Sequence, residues 1–306
     1  MKTTFEQIVD TNNIASFKSK ENIPEIISLG KAERLSPASQ DKKRTLLLVI
    51  DVQNDFMESI GSLPVQGSKG DVERLTHWIY KNVASLTQIM CSLDSHSITQ
   101  IFHSNWWRDE NGNQPQPFTI ITSQDVVEGK WQAVNGKKNL SLEYLKNLEQ
   151  ESKKQLCIWP YHCLEGTRGA KLESEFTKML YFHSAARDST PILISKGQKP
   201  HTEMYGIIKA EYDPENYINL DVLNAIKEYD DIYIAGEASS HCVLASTVQI
   251  LEYFSDNRDI TSRITVLEDC MSPIVGFEES TQKQFQELKE KYEINIRKSM
   301  DVSPTY

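Results

Sequence analysis

Residues 45–56, TLLLVIDVQNDF, join an unbroken aliphatic run at 46–50 to a carboxylate, Asp51. A run this short and this apolar reads as a strand buried on both faces, the kind found at the centre of a parallel α/β sheet. Ligands in such sheets sit beyond the carboxyl ends of the strands, where Asp51 falls.

The same grammar recurs along the chain. Asp71 is expected to cap a helix whose apolar residues Val72, Leu75, Ile79 and Val83 recur at helical spacing. QIMCSL, residues 88–93, predicts a second buried strand that also stops at a carboxylate, Asp94, with His96 just beyond. Further strands are expected at 191–195, ending on Lys196, and at 232–235, 264–267 and 294–296. Helices are expected over 140–148, 170–180, 220–229, 240–254 and 281–292. Alternating strands and helices predict an α/β three-layer sandwich, a mainly parallel sheet of about six strands with helices on both faces.

Two stretches fall outside this pattern. Residues 1–44 are polar, without a clean period, and read as an N-terminal extension packed on the domain or as an arm in a homo-oligomer. Within 45–306, residues 104–158 read as an insertion, approached by the strand-like TQIFHSNWW at 99–107 and containing the loop-like NGNQPQPF at 111–118.

Composition narrows the function. A chain 39% hydrophobic and 25% charged can bury a large core, which excludes wholesale disorder. A net charge of -10 argues against a nucleic-acid partner and for a small-molecule substrate. No apolar run reaches a membrane-spanning length, and MKTTFEQIVD lacks the core of a signal peptide, so no membrane association and a cytoplasmic location are expected. Cys91, Cys157, Cys163, Cys242 and Cys270 are odd in number and scattered, as free thiols would be.

Asp51, Lys196 and Cys242 each stand at or just past the carboxyl end of a strand. A thiol at a helix start faces unpaired N–H groups and the positive end of the helix dipole, which favour the thiolate. A carboxylate can take the thiol proton, an ammonium can stabilise the resulting charge, and the tight connection GEASSHC offers backbone N–H groups beside the sulfur. His241 adjoins Cys242, but neighbours on a helix point apart, so a Cys–His dyad is not expected. Cys91, Cys157 and Cys270 read as small buried hydrophobes.

At these residues the sequence resembles the isochorismatase-like cysteine hydrolases, and within them the nicotinamidase group. DVQNDF at 51–56, GSLPV at 61–65, Asp94-Ser95-His96, WPYHC at 159–163 running into EGTRGAKL, ISKGQKP with Tyr205 nine residues after Lys196, and GEASSHCV follow the family's order. The resemblance implies that Asp51 is the base, Lys196 its cationic partner, and Cys242 the nucleophile that forms a thioester with a carboxamide. It also implies a cis peptide between Glu237 and Ala238, an oxyanion hole from the N–H groups of Ala238 and Cys242, and ring-pocket walls at Phe56, Trp159 and Tyr205. A divalent metal, zinc, iron or manganese, is implied at Asp94, His96 and His162, with His103 as the fourth ligand, although His103 stands further from Asp94 than the family's usual spacing. No nucleotide cofactor is expected. The alternatives are a related carbamoyl or ureido amidase and a catalytically silent binding module.

Overall fold

Side chains of the strand Thr45–Ile50 alternate between two faces, and both faces are covered. Leu47 and Val49 join a core with Trp78, Phe176 and Phe182, while Leu46, Leu48 and Ile50 join a second with Leu223, Ile250 and Phe285. The structure, a computed structural model, describes residues 1–134, 136–151 and 153–304. In its main sheet Thr45–Ile50 lies between Gln88–Asp94 and Asp231–Gly236, and Ile192–Lys196 flanks the first of these. Ile264–Leu267 and then Asn295–Arg297 extend the sheet beyond the second, and every pairing in it is parallel.

The chain therefore builds outward from Thr45–Ile50 to one side, returns, and builds outward to the other. Where the direction reverses, the loops leaving adjacent strands diverge and open a crevice at their carboxyl ends. Asp51 leaves one of those strands, and the segment carrying Cys242 leaves its neighbour. Helices Ser68–Asn82 and Ser174–Arg187 contribute to one core, and Leu220–Ile226, Leu244–Tyr253 and Glu278–Tyr292 to the other. No helix among the described residues is long and apolar enough to cross a membrane.

The expected strand character of 99–107 is not realised. Ile101, Phe102 and His103 are buried in a turn-rich loop, and only Trp107–Arg108 pairs, with Gln132–Ala133. Loop backbone is satisfied at long range instead, Ile101 N–H donating to the Pro200 carbonyl and Trp159 N–H to that of Phe102. Apolar side chains there are buried by tertiary packing rather than by pairing into a sheet. Within 104–158, apart from residues 135 and 152, which lie outside the described residues, the chain forms short two-stranded ribbons and the helices Ser123–Val127 and Lys138–Glu151. Trp106 and Trp107 are buried there, their indole N–H groups donating to Ser141 Oγ and the Ile101 carbonyl.

Residues 1–44 hold a helix, Ile23–Glu33, that starts with Pro24 in its first turn and carries Gly30, a poor helix former, near its end. It packs along Ser174–Arg187, and Phe5, Ile8 and Ile14 enter the core. Carboxylates anchor the segment: Glu33 accepts from the N–H groups of Lys2 and Thr3, and Glu175 from that of Asp10. Gly30 permits the close approach, since a Cβ there would lie 2.6 Å from the Phe182 carbonyl oxygen. Backbone cannot rotate away as a side chain can. Gly30→Val should therefore lower unfolding free energy by about 2–3 kcal/mol despite the gain in helix propensity, read by urea denaturation. An unchanged midpoint would contradict this packing.

Candidate active site

Three strand ends bring Asp51, Lys196 and Cys242 together at the crevice. Lys196 Nζ lies 2.8 Å from Asp51 Oδ2, 2.6 Å from Asp94 Oδ1 and 3.6 Å from Cys242 Sγ, and it also donates to the Met204 carbonyl at 3.3 Å. One ligand atom from each of Asp51, Asp94 and Cys242 lies within 4.8 Å of the others. Asp51 adopts a left-handed backbone, φ 47°, which turns the chain off the strand. After glycine, Asn and Asp tolerate that conformation best. Its carboxylate accepts from Ser92 Oγ at 2.5 Å, and its N–H donates to the same oxygen at 3.0 Å.

All these groups are buried, and burial sets their protonation. It works against the charge on Lys196, but the Asp51 and Asp94 carboxylates and Cys242 hold the ammonium well above its ordinary range. Burial also opposes the charge on Asp94; Lys196 and His96 overcome it and hold the carboxyl well below its usual value. Asp51 goes the other way, pushed up by burial with Asp94 adding to the effect, while Lys196 and Ser92 restrain it. The Cys242 thiol is pushed well up by burial, against the pull of Lys196, with Asp51 and Asp94 raising it further. This reverses the expectation of a lowered thiol. The carboxylates that surround Lys196 spend its charge, and desolvation outweighs what remains.

Cys242 lies in a wide helical turn, Ser239–Val243, continuous with the helix Leu244–Tyr253. The Glu237–Ala238 peptide is cis. All five cysteines are free, and burial pushes Cys91 and Cys270 well up and Cys157 up to about 12.

A second cluster adjoins the first. Ligand atoms of Asp94, His96 and His162 lie within 4.8 Å of one another, with His96 Nε2 3.2 Å and His162 Nε2 3.8 Å from Asp94 Oδ2. Nδ1 of His96 contacts the Gly197 carbonyl at 3.0 Å, Nδ1 of His162 the Pro160 carbonyl at 2.8 Å, and Nδ1 of His103 the Ile98 carbonyl at 3.1 Å. A carbonyl only accepts, so each Nδ1 donates to it, and Nε2 is the nitrogen each ring would turn toward an ion. His103 stands outside the tight trio, its ring 6.1 Å from those of His96 and His162. Its Nε2 is buried with no hydrogen-bond partner among the described residues, and burial, followed by His162 and His96, pushes the imidazole down to about 3. One carboxylate oxygen and these imidazole nitrogens fit a divalent ion such as zinc, iron or manganese. Gly197, at φ 78°, is required here, because a Cβ would lie 2.5 Å from the His96 ring.

The pocket above both clusters is lined by Phe56, Trp159, Tyr205, Ala238 and Cys242, and also by Leu63, Val65, Phe102 and Ile274. Sequence reasoning missed Ser92, Gln53, Glu203 and the part taken by His241. Ser92 was the lone hydroxyl in a buried strand, a signal available but unread. Gln53 accepts from the Asp94 N–H and donates to the Asp94 carbonyl, fixing the carboxylate's strand end. His241 forms a wall rather than a base: its ring lies 5.6 Å from Trp159, 5.6 Å from Tyr205 and 5.0 Å from Phe277, and burial pushes it down to about 4.

No family model matches the chain. It is 23% identical over 252 residues to the nicotinamidase of Saccharomyces cerevisiae, covering 82% of this chain and 97% of that protein. The structure of the yeast nicotinamidase bound to the inhibitor nicotinaldehyde aligns with a TM-score of 0.59 at 20% identity, over 83% of this chain and 99% of that one. An Acinetobacter baumanii nicotinamidase/pyrazinamidase aligns with a TM-score of 0.58 at 18% identity, over 86% and 99%. The fold is that of these proteins.

The buried charges make a specific demand on stability. Lys196→Met would leave Asp51 and Asp94 facing each other without a cation, and should cost about 3–5 kcal/mol in chemical denaturation. A loss below about 1 kcal/mol, the scale of an exposed pair, would contradict the arrangement.

Proposed function

We propose that this chain, which resembles the nicotinamidase group of the isochorismatase-like cysteine hydrolases in sequence and fold, hydrolyses a small aromatic or heteroaromatic carboxamide such as nicotinamide to the acid and ammonia. It is an amidohydrolase of the cysteine-hydrolase class. One observation carries the reading: a single ammonium, Lys196, touches Asp51, Asp94 and Cys242, and Asp94 and Cys242 line a pocket with aromatic walls. Residues 45–306 form the hydrolase domain in this reading, with 104–158 as an insertion and 1–44 as an extension docked on it. A silent binding module would have no use for a buried thiol beside a base.

Asp51 takes the thiol proton as Cys242 Sγ attacks the carboxamide carbon. The raised positions of both groups suit a proton that moves during attack rather than a standing thiolate. Backbone N–H groups of Ala238 and Cys242 receive the oxyanion. The proton held by Asp51 passes to the amide nitrogen, the C–N bond breaks, and ammonia leaves a thioester on Cys242. Asp51 then takes a proton from water; the hydroxide adds to the thioester carbon, the C–S bond breaks, and the sulfur recovers a proton. Lys196 stays charged throughout and offsets the negative charge shared among Asp51, Asp94 and sulfur. Phe56, Trp159 and Tyr205 hold the ring.

Asp94, His96 and His162, with His103, would hold a divalent ion, which when bound supplies a Lewis-acid position for a ring nitrogen or a water. Asp94 faces both ways, toward that site through Oδ2 and toward Lys196 through Oδ1.

Ammonia release from a panel of aromatic and aliphatic carboxamides and ureido compounds tests the reading; nicotinamide-type amides should lead, and ureido compounds leading would overturn it. Cys242→Ala should abolish turnover with the fold retained by circular dichroism, and Asp51→Asn should lower kcat by at least about a hundredfold. Chelator treatment should raise KM for a ring-nitrogen amide more than it slows alkylation of Cys242 by iodoacetamide. Parallel collapse of both rates would contradict the division between ring binding and nucleophile.

A further inference from the structure

Glu203 is buried in the pocket wall and takes no part in the chemistry above. Its Oε1 accepts from Tyr205 Oη at 2.5 Å and from Trp159 Nε1 at 3.2 Å, and its Oε2 accepts from Tyr144 Oη at 3.0 Å. Tyr144 Oη in turn accepts the Glu203 N–H at 3.2 Å, and Trp159 Nε1 also reaches Tyr205 Oη at 3.1 Å. Tyr144, itself buried, lies in the helix Lys138–Glu151 of the 104–158 segment. One carboxyl group thus ties two pocket walls to a helix outside the parallel sheet and its layers.

An unpaired carboxylate in this position would be costly, and three donors from separate stretches of chain satisfy it. Burial, with Glu211 as a further repulsive charge, pushes the group up to about 7, so the donors only partly offset desolvation. The dependence runs the other way too. Without the acceptor, the indole N–H and the two phenols lose their common partner, and the near-perpendicular contact of Trp159 with Tyr205, centroids 6.5 Å apart, loses its tether. Asp51 and Cys242 are held by other partners, and Lys196, which meets this stretch through the Met204 carbonyl, keeps its shorter contacts to Asp51 and Asp94, so the consequence falls on the ring pocket more than on the sulfur.

We propose that Glu203, braced by Tyr144, is a positioning residue that sets Trp159 and Tyr205 as pocket walls, so that the 104–158 segment governs which rings the site accepts. This rests on the ring-pocket reading given under the proposed function.

The test compares alkylation of Cys242 by iodoacetamide and by N-phenyl iodoacetamide, quantified by peptide mass spectrometry, beside KM and kcat for nicotinamide. The wild-type protein should favour the phenyl reagent. Glu203→Ala should lower the rate ratio of the phenyl reagent to iodoacetamide about tenfold and Tyr144→Phe about threefold, the range expected for the net loss of ordinary hydrogen bonds. Glu203→Gln, which keeps a carbonyl acceptor for Trp159 and Tyr205, should stay within about twofold of wild type, and KM should rise more than kcat falls in the other variants. If Glu203→Ala does not fold, the Tyr144→Phe ratio decides. An unchanged ratio, equal loss with both reagents, or a Gln variant no better than Ala would overturn the proposal. Ratios that shift as expected in a protein without carboxamide turnover would uphold it and sink the amidase reading; turnover with unchanged ratios would do the reverse.

Discussion

The arrangement depends on one buried ammonium. Lys196 is surrounded by the Asp51 and Asp94 carboxylates at hydrogen-bond distance and by the Cys242 thiol. Desolvating a lysine this fully is tolerable only with such partners, and two carboxylates this close are tolerable only with such a cation. The three strand ends are consequently locked together by charge as well as by sheet hydrogen bonds. The same ion links two sites: one oxygen of Asp94 serves Lys196, and the other faces His96 and His162.

That arrangement explains why the sheet has its particular order. Asp51 and Cys242 need neighbouring strands whose connections diverge, which the reversal between Thr45–Ile50 and Asp231–Gly236 provides. Lys196 comes from the edge strand, two places from Asp51, and reaches inward past Gln88–Asp94. A long, flexible side chain suits that span, whereas a shorter residue could not bridge it.

Much of this was legible in the chain because the signals are local. An aliphatic run ending in a carboxylate identifies both a buried strand and its functional end, and this holds at Asp51 and at Asp94. What was not legible depends on pairings distant in sequence. Gln53 acts on Asp94 from 41 residues away, and Glu203 meets Tyr144 across 59, so neither residue carries a local mark of its role. The strand-like 99–107 misled because apolar content alone does not supply a pairing edge. The thiol's direction misled because helix and ammonium were weighed without the burial and the two carboxylates that outweigh them.

The central claim is that Cys242 carries the acyl group. Mixing the protein with a slowly hydrolysed aromatic carboxamide, quenching in acid within the first turnover and mapping peptides by mass spectrometry tests it most directly. The account predicts an acyl adduct on the peptide containing Cys242, lost on treatment with hydroxylamine and absent from Cys242→Ser. Turnover with that peptide unmodified at every quench time, or with the adduct on Cys91, Cys157, Cys163 or Cys270 instead, would contradict it.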